Sequence, residues 1–105
     1  MNFIMVKVLV LFGPPLDKES FDSYFKNTHL PLIAKLPNLQ ASRTNFVAGA
    51  VTGGNPYHLI VELEFSSEEE MQNGLNSESG QIMARDFSNF ASGGVTVLPC
   101  RTQDV

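Results

Sequence analysis

The chain switches between two hydrophobic periods, and the order of the switches predicts its architecture. Met5 to Phe12 is an almost unbroken aliphatic and β-branched run, interrupted by Lys7 and stopped by Gly13-Pro14-Pro15. Such a run reads as a strand buried on at least one face and placed centrally in a sheet. After Leu16-Asp17 the period lengthens. Phe21, Tyr24, Phe25, Thr28 and Leu32 recur at helical steps and form the apolar stripe of an amphipathic helix, with Asp22 and Lys26 spaced as an ion pair on its outer side. Pro31 lacks an N–H and its ring opposes the carbonyl of Asn27, so this helix is expected to end or kink near His29. Leu36-Pro37-Asn38-Leu39 then reads as a loop.

A second strand is predicted over Ala41 to Val51, followed by the turn signal Thr52-Gly53-Gly54-Asn55-Pro56. From Tyr57 to Phe65 the period is two: Tyr57, Leu59, Val61, Leu63 and Phe65 alternate with His58, Ile60, Glu62 and Glu64. These strands are expected to pair as an antiparallel hairpin around a five-residue loop. Ser66 with Glu69, and Ser67 with Glu70, both have capping-box spacing, so a helix starts there. Asn73-Gly74-Leu75-Asn76 weakens it and Ser77-Glu78-Ser79-Gly80 restarts it. Met83, Phe87, Phe90 and Ala91 give the second stretch an apolar face, and Gly93-Gly94 ends it. Val95 to Leu98 is the last strand, and Arg101 to Val105 a polar tail, loose or held by a partner.

The order β-α-β-β-α-β is the ferredoxin-like split βαβ arrangement, an α+β fold with a four-stranded antiparallel sheet and helices on one face. The 105 residues suit a single domain over 1–105. Nothing in a chain this short remains to cover the other sheet face, so a second copy, making a homodimer, is the expected cover.

Composition narrows the partners. A hydrophobic fraction of 43% with 17% charged residues fits a folded chain, not a disordered one. The net charge is -4 and the seven basic residues are scattered, so no patch suits nucleic acid or an acidic membrane surface. The opening apolar run is too short to span a bilayer and carries Lys7, which makes a cytoplasmic location the default expectation. The single cysteine, Cys100, excludes an intrachain disulfide and a cysteine-based zinc site. No base adjoins it in sequence, so it reads as a buried bystander at a strand end. Neither His29 nor His58 stands at metal-ligand spacing from carboxylates, and no metal site is expected. Gly53-Gly54 and Gly93-Gly94 are turn and stop signals, not a phosphate loop.

Lys7-Val8-Leu9-Val10-Leu11-Phe12 and Phe21-Asp22-Ser23-Tyr24-Phe25-Lys26-Asn27-Thr28-His29-Leu30-Pro31-Leu32 resemble EthD-like proteins. The second segment is the specific one: a Tyr-aromatic pair, then His-x-Pro-Leu after a short step. The order of elements extends the resemblance over nearly the whole chain. The resemblance implies a dimeric α/β barrel of two face-to-face sheets, and small-molecule chemistry. Relatives in the superfamily include muconolactone isomerases, polyketide cyclases and cofactor-independent monooxygenases of aromatic compounds, and the founding group is linked to degradation of a fuel ether. The implied activity is isomerase, cyclase or monooxygenase chemistry by proton abstraction on a small apolar or aromatic substrate, without a bound cofactor. The alternative is a non-catalytic dimeric binding or accessory protein for a hydrophobic metabolite. Haem, used by some barrels of this type, is not expected, because the chain has no tryptophan and no ligand environment beyond His29.

The candidate base is His29, whose ordinary pKa is suited to proton transfer and whose helical angle places it beside the Phe21–Phe25–Leu32 stripe, at the rim of any cavity between helix and sheet. The plainer account is a helix-ending histidine bonded to a carbonyl freed by Pro31. Tyr24 is the candidate orienting group or acid, or else a half-buried tyrosine with its tip in water. His58, Glu62 and Glu64 share a face of the third strand, where Lys7 is expected to pair with a glutamate; an ion pair is a commoner explanation than an acid–base set. Arg43 and Asn45 could hold a carboxylate or an enolate oxygen, or simply be solvated on an edge strand. Phe25, Phe46, Phe87 and Phe90 are candidate aromatic walls of a ligand pocket, with ordinary core as the alternative.

Overall fold

The computed structural model describes residues 5–104. Strand β1 (Met5–Phe12) lies inside a sheet of order β2-β3-β1-β4, flanked by β3 (Leu59–Phe65) and β4 (Val95–Thr102), with β2 (Ala41–Phe46) outside β3. All neighbours pair antiparallel. The ferredoxin-like α+β arrangement is therefore the observed one. Alternation decides the two faces. Val6, Val8, Val10 and Phe12 of β1 and Leu59, Val61, Leu63 and Phe65 of β3 are buried, and they form one core with Phe21, Phe25, Ile33, Leu36, Met71, Met83 and Phe90 of the helical layer. Lys7, Leu9, Leu11, Ile60, Glu62 and Glu64 point to the opposite face and are half-buried.

The helical layer departs from expectation at Pro31. The chain does not leave the helix near His29; it continues from α1 (Lys18–Tyr24) through a π-helical turn, Phe25–His29, into α2 (Leu30–Ile33). The N–H of Leu30 reaches five residues back to the carbonyl of Phe25. A wider turn relieves the clash between the proline ring and the Asn27 carbonyl at the expense of one extra residue in the turn. That extra residue also changes a direction. Four residues of α-helix overshoot a full turn by about 40°, whereas the wider turn rotates His29 back the other way, and His29 and Phe25 are both buried. Asp17 caps α1 by accepting from the Ser20 N–H at 3.1 Å.

Helix α3 (Glu68–Asn76) and helix α4 (Glu78–Asp86) are separate, as the weak Asn73–Asn76 stretch predicts. Of the two capping serines foreseen, Ser67 caps α3. Ser77 joins the pair: its Oγ donates to the Gly74 carbonyl at 2.6 Å and accepts from the Gly80 N–H at 3.1 Å. Gly74 is required for space, since a Cβ there would lie 2.5 Å from the Pro37 carbonyl oxygen and 3.1 Å from the Phe65 ring. A 3-10 turn, Phe87–Asn89, follows α4.

The hairpin is antiparallel, but its loop is longer than predicted. β2 stops at Phe46 and β3 begins at Leu59, with the last rung from the Val47 N–H to the His58 carbonyl. Gly49 and Gly53 take positive φ in the intervening segment, so β2 does not reach Val51, and β3 starts at Leu59 and not at Tyr57. β4 is longer than its apolar stretch and carries Pro99 along the sheet edge. Arg101 and Thr102, expected in a polar tail that is loose or held by a partner, belong to β4, and Arg101 pairs with Glu68; Val105 lies outside the described residues. No helix among the described residues is long and apolar enough to cross a membrane.

Candidate functional site

His29 is the histidine of the aromatic layer. Its ring centroid lies 4.7 Å from Phe90, 5.1 Å from Phe87, 5.8 Å from Phe25 and 6.3 Å from Phe12. It is 1% exposed, which corrects the expectation of a cavity rim, and the π turn is the reason. Nor is it bonded to a freed carbonyl. Its Nδ1 lies 2.9 Å from Oδ2 of Asp86.

Asp86 organises the site. The last residue of α4, it is buried beneath the aromatic rings, 7% exposed. Oδ1 accepts from the Tyr24 hydroxyl at 2.5 Å and from Nδ2 of Asn89 at 2.9 Å, while Oδ2 faces His29. Burial pushes the Asp86 carboxyl up, but the bonds from Tyr24, Asn89 and His29 outweigh it and hold the group below the usual carboxylate range. The neighbouring shifts agree with an ionised Asp86. Burial pushes the His29 imidazole down, with the Asp86 carboxylate opposing. The Tyr24 hydroxyl is raised, first by its bond to Asp86, so it keeps its proton. A neutral His29 that donates Nδ1–H to Asp86 carries its lone pair on Nε2.

Tyr24 connects this buried group to solvent. Together with Phe21, Phe90 and Asn89 it lines an open groove of about 340 Å³ between the start of α1 and the segment after α4. Asp17, Ser20, Ser88 and Ser92 supply the polar wall, and the Leu16 N–H donates to Ser92 Oγ across it at 3.0 Å. The Tyr24 and Phe90 rings stack at 5.0 Å. His29 is not among the residues lining this groove.

The other candidates fall elsewhere. Phe25 and Phe87 pack around His29 together with Phe90, which also reaches the groove. Arg43 and Asn45 lie across the sheet from His29, on its open face: Arg43 Nη1 bonds Glu64 at 2.8 Å, and Asn45 Nδ2 bonds the Ile60 carbonyl and Glu62, each at 3.0 Å. Lys7 stands 3.3 Å from Glu62 and 3.6 Å from Glu64, the cross-strand pairing that its sequence position predicts. The Asn45 amide holds the Glu62 carboxyl below its ordinary range, with Lys7 and Arg43 adding to it. Cys100, expected to be buried, is only partly covered and pairs with Lys7 in the ladder on that same face. His58 does not share this face, because it precedes the regular pleat of β3. Its Nε2 lies 2.7 Å from Asp22, which therefore faces His58 and not Lys26, and its ring meets Phe21 edge-on at 5.2 Å. Phe46 is 60% exposed at the sheet edge.

Asp86 and Asn89 have no counterpart among the sequence candidates. The signal was nonetheless present: Asp86 sits three residues after Met83 and four before Phe90, a carboxylate within the apolar face of its helix.

The EthD domain model matches residues 13–94. The chain belongs to the EthD family. It is 35% identical over 98 residues to an uncharacterised 11.0 kDa protein of the thcB-thcC intergenic region of Rhodococcus erythropolis, covering 90% of this chain and 91% of that protein. Among solved structures it is similar to an ethyl tert-butyl ether D (EthD) family protein of Bacillus halodurans, with 28% identity and a TM-score of 0.88 over 94% of this chain and 99% of that one. The fold alone is shared with a dimeric ferredoxin-like protein of unknown function from Thermobifida fusca (12% identity, TM-score 0.70, 96% and 93% coverage) and with a hydroxynitrile lyase from Passiflora edulis (16% identity, TM-score 0.76, 99% and 98% coverage).

Proposed function

We propose that this EthD-family chain forms a homodimeric α/β barrel enzyme that moves a proton on a small apolar or aromatic substrate without a bound cofactor. The observation that carries the reading is Asp86: a buried carboxylate with Tyr24 on one oxygen and His29 on the other, connected to solvent through the Tyr24 hydroxyl. Perturbed titratable groups held in mutual contact beside a groove are the physical mark of acid–base chemistry. Burial moves the role of base from His29 to the Tyr24–Asp86 pair. A substrate in the groove gives its proton to Tyr24 Oη as the Tyr24 proton passes to Asp86 Oδ1. Substrate is left anionic and Asp86 neutral, and return of the proton to a different substrate atom completes a rearrangement. His29 keeps Oδ2 occupied and so holds the carboxylate in line. That a hydroxynitrile lyase shares the fold supports an enzymatic use of it.

The test is a panel of small aromatic alcohols, ketones and lactones incubated with the protein in deuterium oxide and followed by NMR. Deuterium uptake or product formation that falls at least about hundredfold in Asp86→Asn and Tyr24→Phe is the expected result. Turnover that persists in both variants removes the assignment. The seclusion of His29 favours a second reading, a dimeric binding protein for a hydrophobic metabolite. Ligands retained stoichiometrically and recovered without deuterium are its signature.

A further inference from the structure

The Tyr24 hydroxyl and most of the backbone N–H groups that line the groove are engaged inward, which leaves Tyr24 Oη an acceptor. The Tyr24 hydroxyl gives its proton to Asp86 and the Asn89 amide gives Nδ2–H to the same oxygen. Ser88 Oγ donates to the Arg85 carbonyl. Among the backbone N–H groups, those of Leu16, Ser20 and Phe21 bond Ser92 Oγ, Asp17 Oδ1 and the Asp17 carbonyl, and those of Phe90, Ala91 and Ser92 bond carbonyls of the same turn. Tyr24, Asn89 and the Asp17 carboxylate keep lone pairs to offer a ligand, while the Ser92 hydroxyl, which accepts from Leu16, and the second Asn89 amide hydrogen remain as donors. The bonds from Ser20 hold Asp17 below the ordinary carboxylate range, so it is charged. No lysine, arginine or histidine is among the residues lining the groove.

We infer that the groove selects aromatic molecules bearing a neutral hydrogen-bond-donating hydroxyl or amino group, and rejects carboxylates. The aromatic part follows from Phe21, Tyr24 and Phe90, whose rings lie 5.0–5.1 Å from one another along the pairs Tyr24–Phe90 and Phe21–Phe90. The donor requirement follows from Tyr24, whose own proton is held by Asp86. A ligand O–H or N–H aimed at Tyr24 Oη completes a chain that runs to Asp86, while a ligand that brings only an acceptor to that atom sets lone pair against lone pair. Rejection of anions follows from Asp17 at the wall and Asp86 behind it, with no cation to offset them. This inference rests on the groove being the substrate site, and it names the class of substrate that site takes.

The experiment titrates the isotopically labelled protein with 2-naphthol, 2-methoxynaphthalene and 2-naphthoate and follows backbone and side-chain amide resonances. Expected is 2-naphthol binding about tenfold more tightly than the methyl ether, the worth of one hydrogen bond. 2-Naphthoate should be weakest, and the shifts should centre on the Asn89 amide and Ser92. Tyr24→Phe, which keeps the ring, should narrow the gap between naphthol and ether. Equal affinities for naphthol and ether, tightest binding by naphthoate, or shifts centred on the open sheet face would each overturn the inference, and the wild-type ranking decides it if the variant does not fold. Binding is read without turnover. A naphthol that seats in the groove while the deuterium panel stays silent removes the enzymatic reading and keeps this one. Turnover confined to substrates without a donor group does the reverse.

Discussion

One carboxylate holds the buried polar cluster of this chain together. Asp86 has three donors on two oxygens, so its loss should be felt in both stability and titration. Asp86→Asn is expected to lower stability by about 1–3 kcal/mol in urea denaturation, the range for a disturbed buried hydrogen bond. Because Asp86 opposes the downward push of burial on His29, the same variant should shift the His29 imidazole titration to lower pH, readable from its ring carbon resonances. The wild-type protein should lose stability in acid. His29 is depressed from 6.5, so the unfolded chain takes up its proton first; its contribution is complete above 6.5 and is lost as pH falls through the folded value. Asp86, depressed from 3.8, adds a second loss further down the scale. His29→Gln should flatten the first decline, measured as the urea midpoint against pH. At this scale the sequence made candidates of His29 and Tyr24, because a histidine and a tyrosine beside an aromatic stripe invite attention. Asp86 stayed hidden beside Arg85, where a charged pair late in a helix reads as its solvated side.

Among the elements, the π turn determines where His29 sits. An expected α-helical register placed His29 on the flank; the wider turn carries it inward to meet Asp86. Nothing in a single sequence marks an i to i+5 hydrogen bond, and Pro31 signalled trouble without saying whether the helix would stop or widen. The β2–β3 loop was misjudged for a similar reason: apolar Val47 and Val51 extended the strand pattern, while Gly49 had already ended the pairing. The joint between α3 and α4 was legible, and it makes a quantitative test. Ser77→Ala removes a hydroxyl that serves both helices and should reduce stability by about 1 kcal/mol. Gly74→Ala adds a Cβ against the Pro37 carbonyl and the Phe65 ring and should reduce it by about 1–3 kcal/mol, as overpacking does. Thermal or urea unfolding checks both.

For the molecule as a whole, the order of elements and the bare sheet face were readable from period alone, since strands of period two and helical stripes leave few ways to close a core. The open face is divided. Lys7, Arg43, Glu62 and Glu64 lie on one part, and Leu9, Leu11 and Leu98 on another, with Leu98 44% exposed. In the proposed dimer this apolar part is the natural seam. Wild-type protein should scatter light as a dimer at micromolar concentration, and Leu98→Lys should shift it toward monomer while leaving the Tyr24–Asp86–His29 cluster, on the other side of the sheet, unchanged by NMR.

Pro99 bears on what the sheet must avoid. Edge strands invite further chains to add on, and a dimer built from exposed sheets concentrates that hazard. A proline in an edge strand offers no N–H on the side where an incoming strand would dock. Beside it, Arg101 is exposed and paired with Glu68, which sets charge along the same border. The β4 margin is thus poorly suited to open-ended strand addition, and growth into fibres is checked at this edge by a missing hydrogen.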